Sequence, residues 1–412
     1  MGVDVPLINR VILISILLCG VHFFGLYHKL SNNLYDLIDL YFLGVTFILM
    51  VKFFTDKRIY DIPLNDHVFS RPLGLLFFSL FLSALSGYFY HDQFPLLSLL
   101  AMRYFSYFLV YYLLIMLGVK KEDLVKLVLL FSAIYMAVFS LQLLVFPVAI
   151  VPLGHADEFN RGFLRLRLEG VGFLTLSAFY CLNAYLVDKK RIMHLLFYCL
   201  GFLFVYLLGF RTLLATFLFS SFILITLYSG SFIKFISFFV IALILGIGLM
   251  QVESVSFFFS EMLELTVGQF EEGDEYIRLR TFDFLFGDVN AGLGSIIFGN
   301  GMPFAGTAYG NLVLGVGVDM FGYISADLGL IGFVFNFGLV SLLALLNIFR
   351  IAIFKKLPKD SLYLSVFFIY VLISSVTTAE IYRAGMFVVE AVGFYLITLI
   401  YFESRETLED SR

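Results

Sequence analysis

The chain contains no tryptophan, so anchoring at any membrane–water boundary falls to its 24 tyrosines and to phenylalanine. Its three cysteines, Cys19, Cys181 and Cys199, all lie inside apolar runs. There a thiol packs as a small hydrophobe instead of joining a disulfide or a metal site. The six histidines (22, 28, 67, 91, 155 and 194) form no metal-ligand spacing, so neither metal nor cofactor is expected. Charged residues make up only 14% of the chain, and the net charge of −4 gives no argument for a nucleic-acid partner. No glycine-rich turn is followed by GK[ST], which excludes a nucleotide P-loop. No internal repeat of the kind that marks many carriers is visible. No Pro/Ser linker divides the chain, and ESRETLEDSR at its end reads as a solvated tail. No cleavable signal is expected; the first apolar run reads as a signal-anchor span.

What is abundant is apolar sequence, 61% of residues, with a mean hydropathy of +0.97. A span takes roughly 20 apolar residues. Runs that qualify are 11–28, 34–54, 72–90, 95–118, 124–146, 169–187, 192–210, 212–230, 233–250, 323–348, 361–377 and 383–402. The fold class expected is therefore an all-α polytopic membrane protein of about twelve transmembrane helices. It forms one integral domain over 1–412 with both termini on the same side.

Cytoplasmic loops concentrate Lys and Arg. With the N-terminus inside, eighteen of the 27 basic residues fall on the cytoplasmic side. The others are Lys29, Arg103, Arg161, Arg165, Arg167, Arg211, Arg278, Arg280 and Arg383, all arginine but one. Topology alone would remove both cations from the outer face. The survivor is the one whose planar, permanently charged fork grips phosphate or carboxylate in bidentate fashion.

Two outer loops are substantial, 147–168 and 251–322. The second is too polar and glycine-rich to cross a bilayer, yet too rich in phenylalanine for a disordered linker. It is expected to be a folded cover over a membrane site, with little regular backbone. Within it, Arg278 and Phe282 share helical spacing, and Gly299-Asn300-Gly301 ends the apolar run SIIF. That turn is either ordinary or a place where backbone closely approaches a bulky ligand. Asp319 and Asp327 flank FGYISA, Asp319 at the membrane surface and Asp327 a turn or two deeper. Asp327 reads as a functional acid or as a structural partner of Arg103 or Arg383. Arg211 in LLGFRTLLATF is a snorkelling residue or an anion ligand. Arg161, Arg165 and Arg167 in RGFLRLRLEG form a basic cluster, and Arg280 has many acids close by in the sequence. Arg103, mid-span, should face the interior, and Glu380 with Arg383 is compatible with a plain ion pair.

The order of these features resembles the superfamily of O-antigen polymerases and O-antigen ligases. Five stretches carry the resemblance: Arg211 after an apolar span, Arg278 with Phe282 (where tryptophan is usual), IIFGNG, DMFGYISADLGLIGFVFNFGLV with Gly329 and Gly332, and RLRLEGVG. They cover about residues 160–340. Ligases carry a His-Asn pair where this chain has Val318 and Asp319, which favours the polymerase side. The resemblance implies a GT-C-like, metal-independent glycosyltransferase in a bacterial inner membrane, acting in lipopolysaccharide or capsule biosynthesis. It would join undecaprenyl-diphosphate-linked repeat units on the periplasmic face, with membrane lipid and a chain-length regulator as further partners. Arg211 and Arg278 would then bind diphosphate, followed by Arg280, Arg167, Arg161, Arg165 and Arg383. Gly299 and Gly301 would lie near substrate. The base would be Asp319, ahead of Asp327 and Glu380. A departing diphosphate gains negative charge, which outward-facing arginine can stabilise without metal. A ligase is the nearest alternative. A carrier or flippase of an anionic lipid-linked sugar is the alternative from another class.

The topology is directly testable. A single cysteine at Asn290 on a cysteine-free background is expected to react with an impermeant reagent in intact spheroplasts. Labelling only after permeabilisation would invert the orientation.

Overall fold

A computed structural model of the protein describes residues 7–26, 33–55, 67–151, 166, 168–230 and 276–409. These are helical, without a strand among the described residues. The helices are α1 (Leu7–Gly20), α2 (Asn33–Thr55), α3 (Ser70–His91), α4 (Pro95–Ala101), α5 (Val110–Leu117), α6 (Lys121–Val145), α7 (Val171–Val187), α8 (Ile192–Leu207) and α9 (Arg211–Ser229), then α10 (Ile277–Asp283), α11 (Leu293–Phe298), α12 (Leu330–Phe354), α13 (Leu362–Ser374) and α14 (Met386–Glu409). Helices stand at eleven of the twelve expected spans, and the remaining one, 233–250, lies outside the described residues. By length and composition five can cross a membrane: α3, α6, α9, α12 and α14. The count is six if α4 and α5, bent by 65° through the 3-10 segment Arg103–Leu109, form one span. Shorter apolar helices occupy α1, α2, α7 and α8. The protein is thus a helical membrane protein.

The core is organised on α14. It packs against α5 and the Arg103–Leu109 segment, with α7, α13, α1 and α6 around it. Its phenylalanines interlock with theirs: Phe387 lies 4.6 Å from Phe105 and 5.0 Å from Phe108, and Phe394 stacks on Phe368 at 4.9 Å. In an apolar solvent helices gain little from burying apolar area against each other, so close van der Waals packing does the work. Small residues allow it. Gly20 meets Val388, and Gly172 meets Met386 and Val389, at distances that leave no room for a Cβ.

The segment after 275 departs from the irregular cover expected of it. Its described part is largely helical, through α10, a π-helical continuation Phe284–Val289, α11 and a second π-helical run Asn311–Met320. Several glycines that read as breakers sit inside these helices instead, where they make room for neighbours: Gly317, for example, faces the Phe284 ring.

The turn Gly299-Asn300-Gly301 wedges between α3 and α12. Asn300 is fully buried. Its backbone N–H and its side-chain amide both donate to the Phe335 carbonyl at 3.0 Å, and His91 Nε2 lies 2.8 Å from its Oδ1. Ser83 of α3 donates to the Asn336 carbonyl at 2.9 Å, and Ser86 to that of Gly299. Those carbonyls of α12 are available because Gly338 (φ 81°) interrupts the helix. The close approach that glycine permits at position 299 is therefore to protein backbone. A Cβ there would stand 2.5 Å from the Phe337 carbonyl carbon.

The alternation of the helices and their contacts separates two ends. At one, Lys355 lies over the Tyr401 ring at 3.5 Å, Lys121 is 3.9 Å from Glu403, and Tyr395 donates to the Val119 carbonyl at 2.8 Å. At the other lie the turns that carry His22, Glu169, Arg211, Asp327 and Arg383. It is called the outer end below, from the sequence-based orientation.

Gly299→Ala is expected to destabilise the protein by more than the about 1–3 kcal/mol of left-handed backbone alone, because its methyl also meets α12. A lowered thermal midpoint of the purified protein, with a smaller loss for Gly306→Ala where the Cβ position is open, is the expected result.

Candidate functional site

The outer end is built from charged and polar side chains that an apolar bundle can hold only in pairs. After α1, three successive non-glycine residues, His22, Phe23 and Phe24, take left-handed backbone with φ of 42°, 48° and 57°. Such conformations persist only where surroundings over-determine them. The surroundings here are a buried network. His22 Nδ1 bonds Glu169, just before α7, and its Nε2 lies 3.1 Å from Asp39 Oδ1 on α2. Tyr107 donates to the same oxygen at 2.7 Å, and Arg103 Nε donates to Asp39 Oδ2 at 2.7 Å. The rings of Tyr104 and Tyr107 enclose the imidazole edge-on. Glu169, its side chain 20% exposed, is the open end of this network.

A second group begins where Glu169 ends. Gly385, in the turn before α14, packs directly on Glu169. Two residues earlier, Arg383 Nη1 donates to Glu380 Oε1 at 2.9 Å. Burial works against the Arg383 cation, but Glu380, with Glu169 further off, outweighs it, so its pKa is raised. The Glu380 side chain is only 4% exposed, and its Oε2 has no hydrogen-bond partner.

The same turn touches the 3-10 turn Ser325–Leu328 before α12. Tyr382 donates to the Gly329 carbonyl at 3.2 Å, and the Leu330 N–H to that of Ser375 at 3.0 Å. Burial and the nearby Asp327 carboxylate push the Tyr382 phenol above its ordinary range. Helix α10, with Arg278 and Arg280, packs on the Ser325–Leu328 turn. Three segments distant in sequence thus form one polar surface.

Against this frame the expected site residues fall as follows. Arg278 is half-buried on α10 and makes no hydrogen bond or ion pair among the described residues; Phe282, one turn on, stacks on Phe286 at 4.8 Å. Arg280 is exposed. Arg211 opens α9 and is half-buried. Asp319 is exposed near the end of the π-helical run. Arg161, Arg165 and Arg167 lie outside the described residues.

Asp327 is exposed, on a turn that Gly329 (φ 58°, ψ −126°) breaks before α12 starts at Leu330. Arg103 pairs with Asp39, and Arg383 with Glu380. Arg103 itself lies at the bend between α4 and α5, inside the broken span that the two helices form if taken together.

Sequence reading missed His22, Asp39, Glu169 and Glu390. The signal was there for two of them. Asp39 and Glu390 are acids inside expected spans, and an acid in hydrocarbon demands a partner or a proton. Among the described residues no group of three His, Cys, Asp or Glu is placed to hold a metal ion. Comparison with protein-family models, with curated proteins and with solved structures finds no match.

Asp39→Ala would strand His22, Tyr107 and Arg103 together. Breaking a buried pair from one side costs about 3–5 kcal/mol. A large fall in thermal stability is expected, with substantial recovery in Asp39→Leu combined with Arg103→Leu, where both charges leave.

Proposed function

We propose that the protein is a polyprenyl-diphosphate-oligosaccharide glycosyltransferase of the polymerase type, working at the outer end of a bundle of about twelve spans. The observation that supports this reading is the pairing of a guanidinium without a partner among the described residues, Arg278, with a nearby ion pair whose carboxylate keeps one oxygen unbonded there, Glu380–Arg383. One turn, Ser325–Leu328, lies between them. The first group suits a diphosphate, which develops charge as it leaves. The second suits an acceptor hydroxyl that must lose a proton.

In this reading the lipid tail lies along the bundle while the diphosphate meets Arg278, Arg280 and Arg211. The sugars pack on aromatic side chains of the segment after 275, such as Phe282 and Phe321, which are exposed. Glu380 and Asp319 are the competing bases. Asp319 is solvent-exposed, which leaves its carboxylate free to meet a hydroxyl but gives it no defined orientation. Glu380 is oriented by Arg383, at the cost of accessibility.

A carrier of anionic lipid-linked sugar is favoured by one specific feature, a fully buried acid without a partner, Glu390. Such acids are typical of ion and proton pathways.

Polymer length separates these readings. Deletion of the gene for a polymerase should collapse an extracytoplasmic ladder to single repeats, whereas full-length polymer left on its lipid carrier would indicate a ligase, and intact polymerisation from a pre-supplied outer pool would indicate a carrier. With purified protein and lipid-linked repeat units, Arg278→Lys and Arg211→Lys should lose most activity at normal protein levels, because the charge remains and the fork is lost. Whichever of Asp319→Asn and Glu380→Gln drops polymer formation by roughly 10²–10⁴ while donor binding persists identifies the base. Full activity in all four variants would sink the assignment.

A further inference from the structure

Glu390 lies in the second turn of α14, fully buried, and neither of its carboxyl oxygens has a hydrogen-bond partner. It stands within electrostatic reach of Glu380, whose Oε2 is likewise without a partner. Two further buried oxygens in the same region are unpartnered, the hydroxyls of Tyr135 on α6 and Tyr370 on α13. Both lie in the field of Glu380 and Arg383. Buried polar atoms are nearly always satisfied, so five orphaned oxygens in one neighbourhood mark something that the side chains alone do not supply.

Charge says what that is. Glu380 and Glu390 can carry two negative charges, and Arg383 offsets one. Among the described residues the adjoining network supplies no spare cation: Arg103 is held by Asp39, and His22 lies between Asp39 and Glu169. Among the described residues, the groups in the field of this ion pair are Tyr135, Tyr370 and Glu169, none of which brings positive charge. One negative charge remains in an apolar interior, where an unpaired carboxylate is far too costly and neutralises instead. No third acid, histidine or cysteine joins them to complete a metal site among the described residues.

We propose that Glu390 holds an exchangeable proton, forming a buried proton-binding site beside the Glu380–Tyr382 turn, which packs on α14 and leads to the outer end. The inner acid is sealed, while Arg383, 26% exposed, connects the outer one to the surface. The site's existence does not depend on the polymerase reading.

The test uses the intact protein in nanodiscs. A hydrophobic carbodiimide reacts with protonated carboxyls in apolar surroundings, and peptide mass spectrometry of the wild type should find the adduct on Glu390. Its yield should fall severalfold as pH is raised and be indifferent to exchange of choline chloride for sodium chloride. In infrared spectra the carbonyl band of a protonated carboxyl should be lost in Glu390→Gln, kept in Glu390→Asp and shifted in Glu380→Gln. An unmodified Glu390, or an unchanged carbonyl band in a monodisperse Glu390→Gln, would overturn the proposal. Protection by sodium would overturn it too, in favour of a metal ion. Because labelling is read on the wild type, a variant that fails to fold leaves the outcome decided.

Discussion

A charge inside an apolar bundle has to be matched by an opposite charge or a proton, and the outer end of this protein is arranged around that requirement. Asp39 is satisfied on every side: Arg103 takes one oxygen, and Tyr107 and His22 share the other. That network ties α1 and α2 to the α4–α5 bend and to the start of α7. It also holds three residues in a left-handed path that their side chains disfavour. Buried pairs of this kind add little net stability over well-packed apolar groups, but removing one member leaves the others stranded. Their effect is to make one arrangement of the helix ends much better than its alternatives.

The second constraint is steric and belongs to α12. Its break at Gly338 exposes backbone carbonyls, and the Gly299-Asn300-Gly301 turn fills the gap. Beside it, α10 packs on the Ser325–Leu328 turn, and Tyr382 ties the end of that turn to the Glu380–Arg383 pair. Charges from α10, from the α7 approach and from the turn before α14 then meet at one end. This scaffold, and not their own sequence neighbours, positions these acids and arginines.

The parts legible beforehand were those set by local sequence. Helical spans follow from runs of apolar residues, since a helix in lipid satisfies its own backbone hydrogen bonds. The Glu380–Arg383 pair was visible because its members stand only three positions apart in the sequence. The counter-ion of Arg103 was not: Asp39 is far away in sequence, and nothing local distinguishes it from Asp327 as a partner. The glycines of the segment after 275 misled for a related reason. Glycine marks either a turn or a tight contact, and only the neighbour across the gap tells which.

The amino-acid sequence by itself determined that this is a helical membrane protein, that its lysines gather at one end, and that arginine is the cation retained at the other. Those properties are sums over short stretches, so hydropathy and residue type suffice. The tertiary structure decided which acid neutralises which arginine, that Asp327 is exposed while Glu390 is sealed, and that position 299 meets backbone. Pairing and burial are relations between distant segments, and the energies that fix them exist only once the helices have packed.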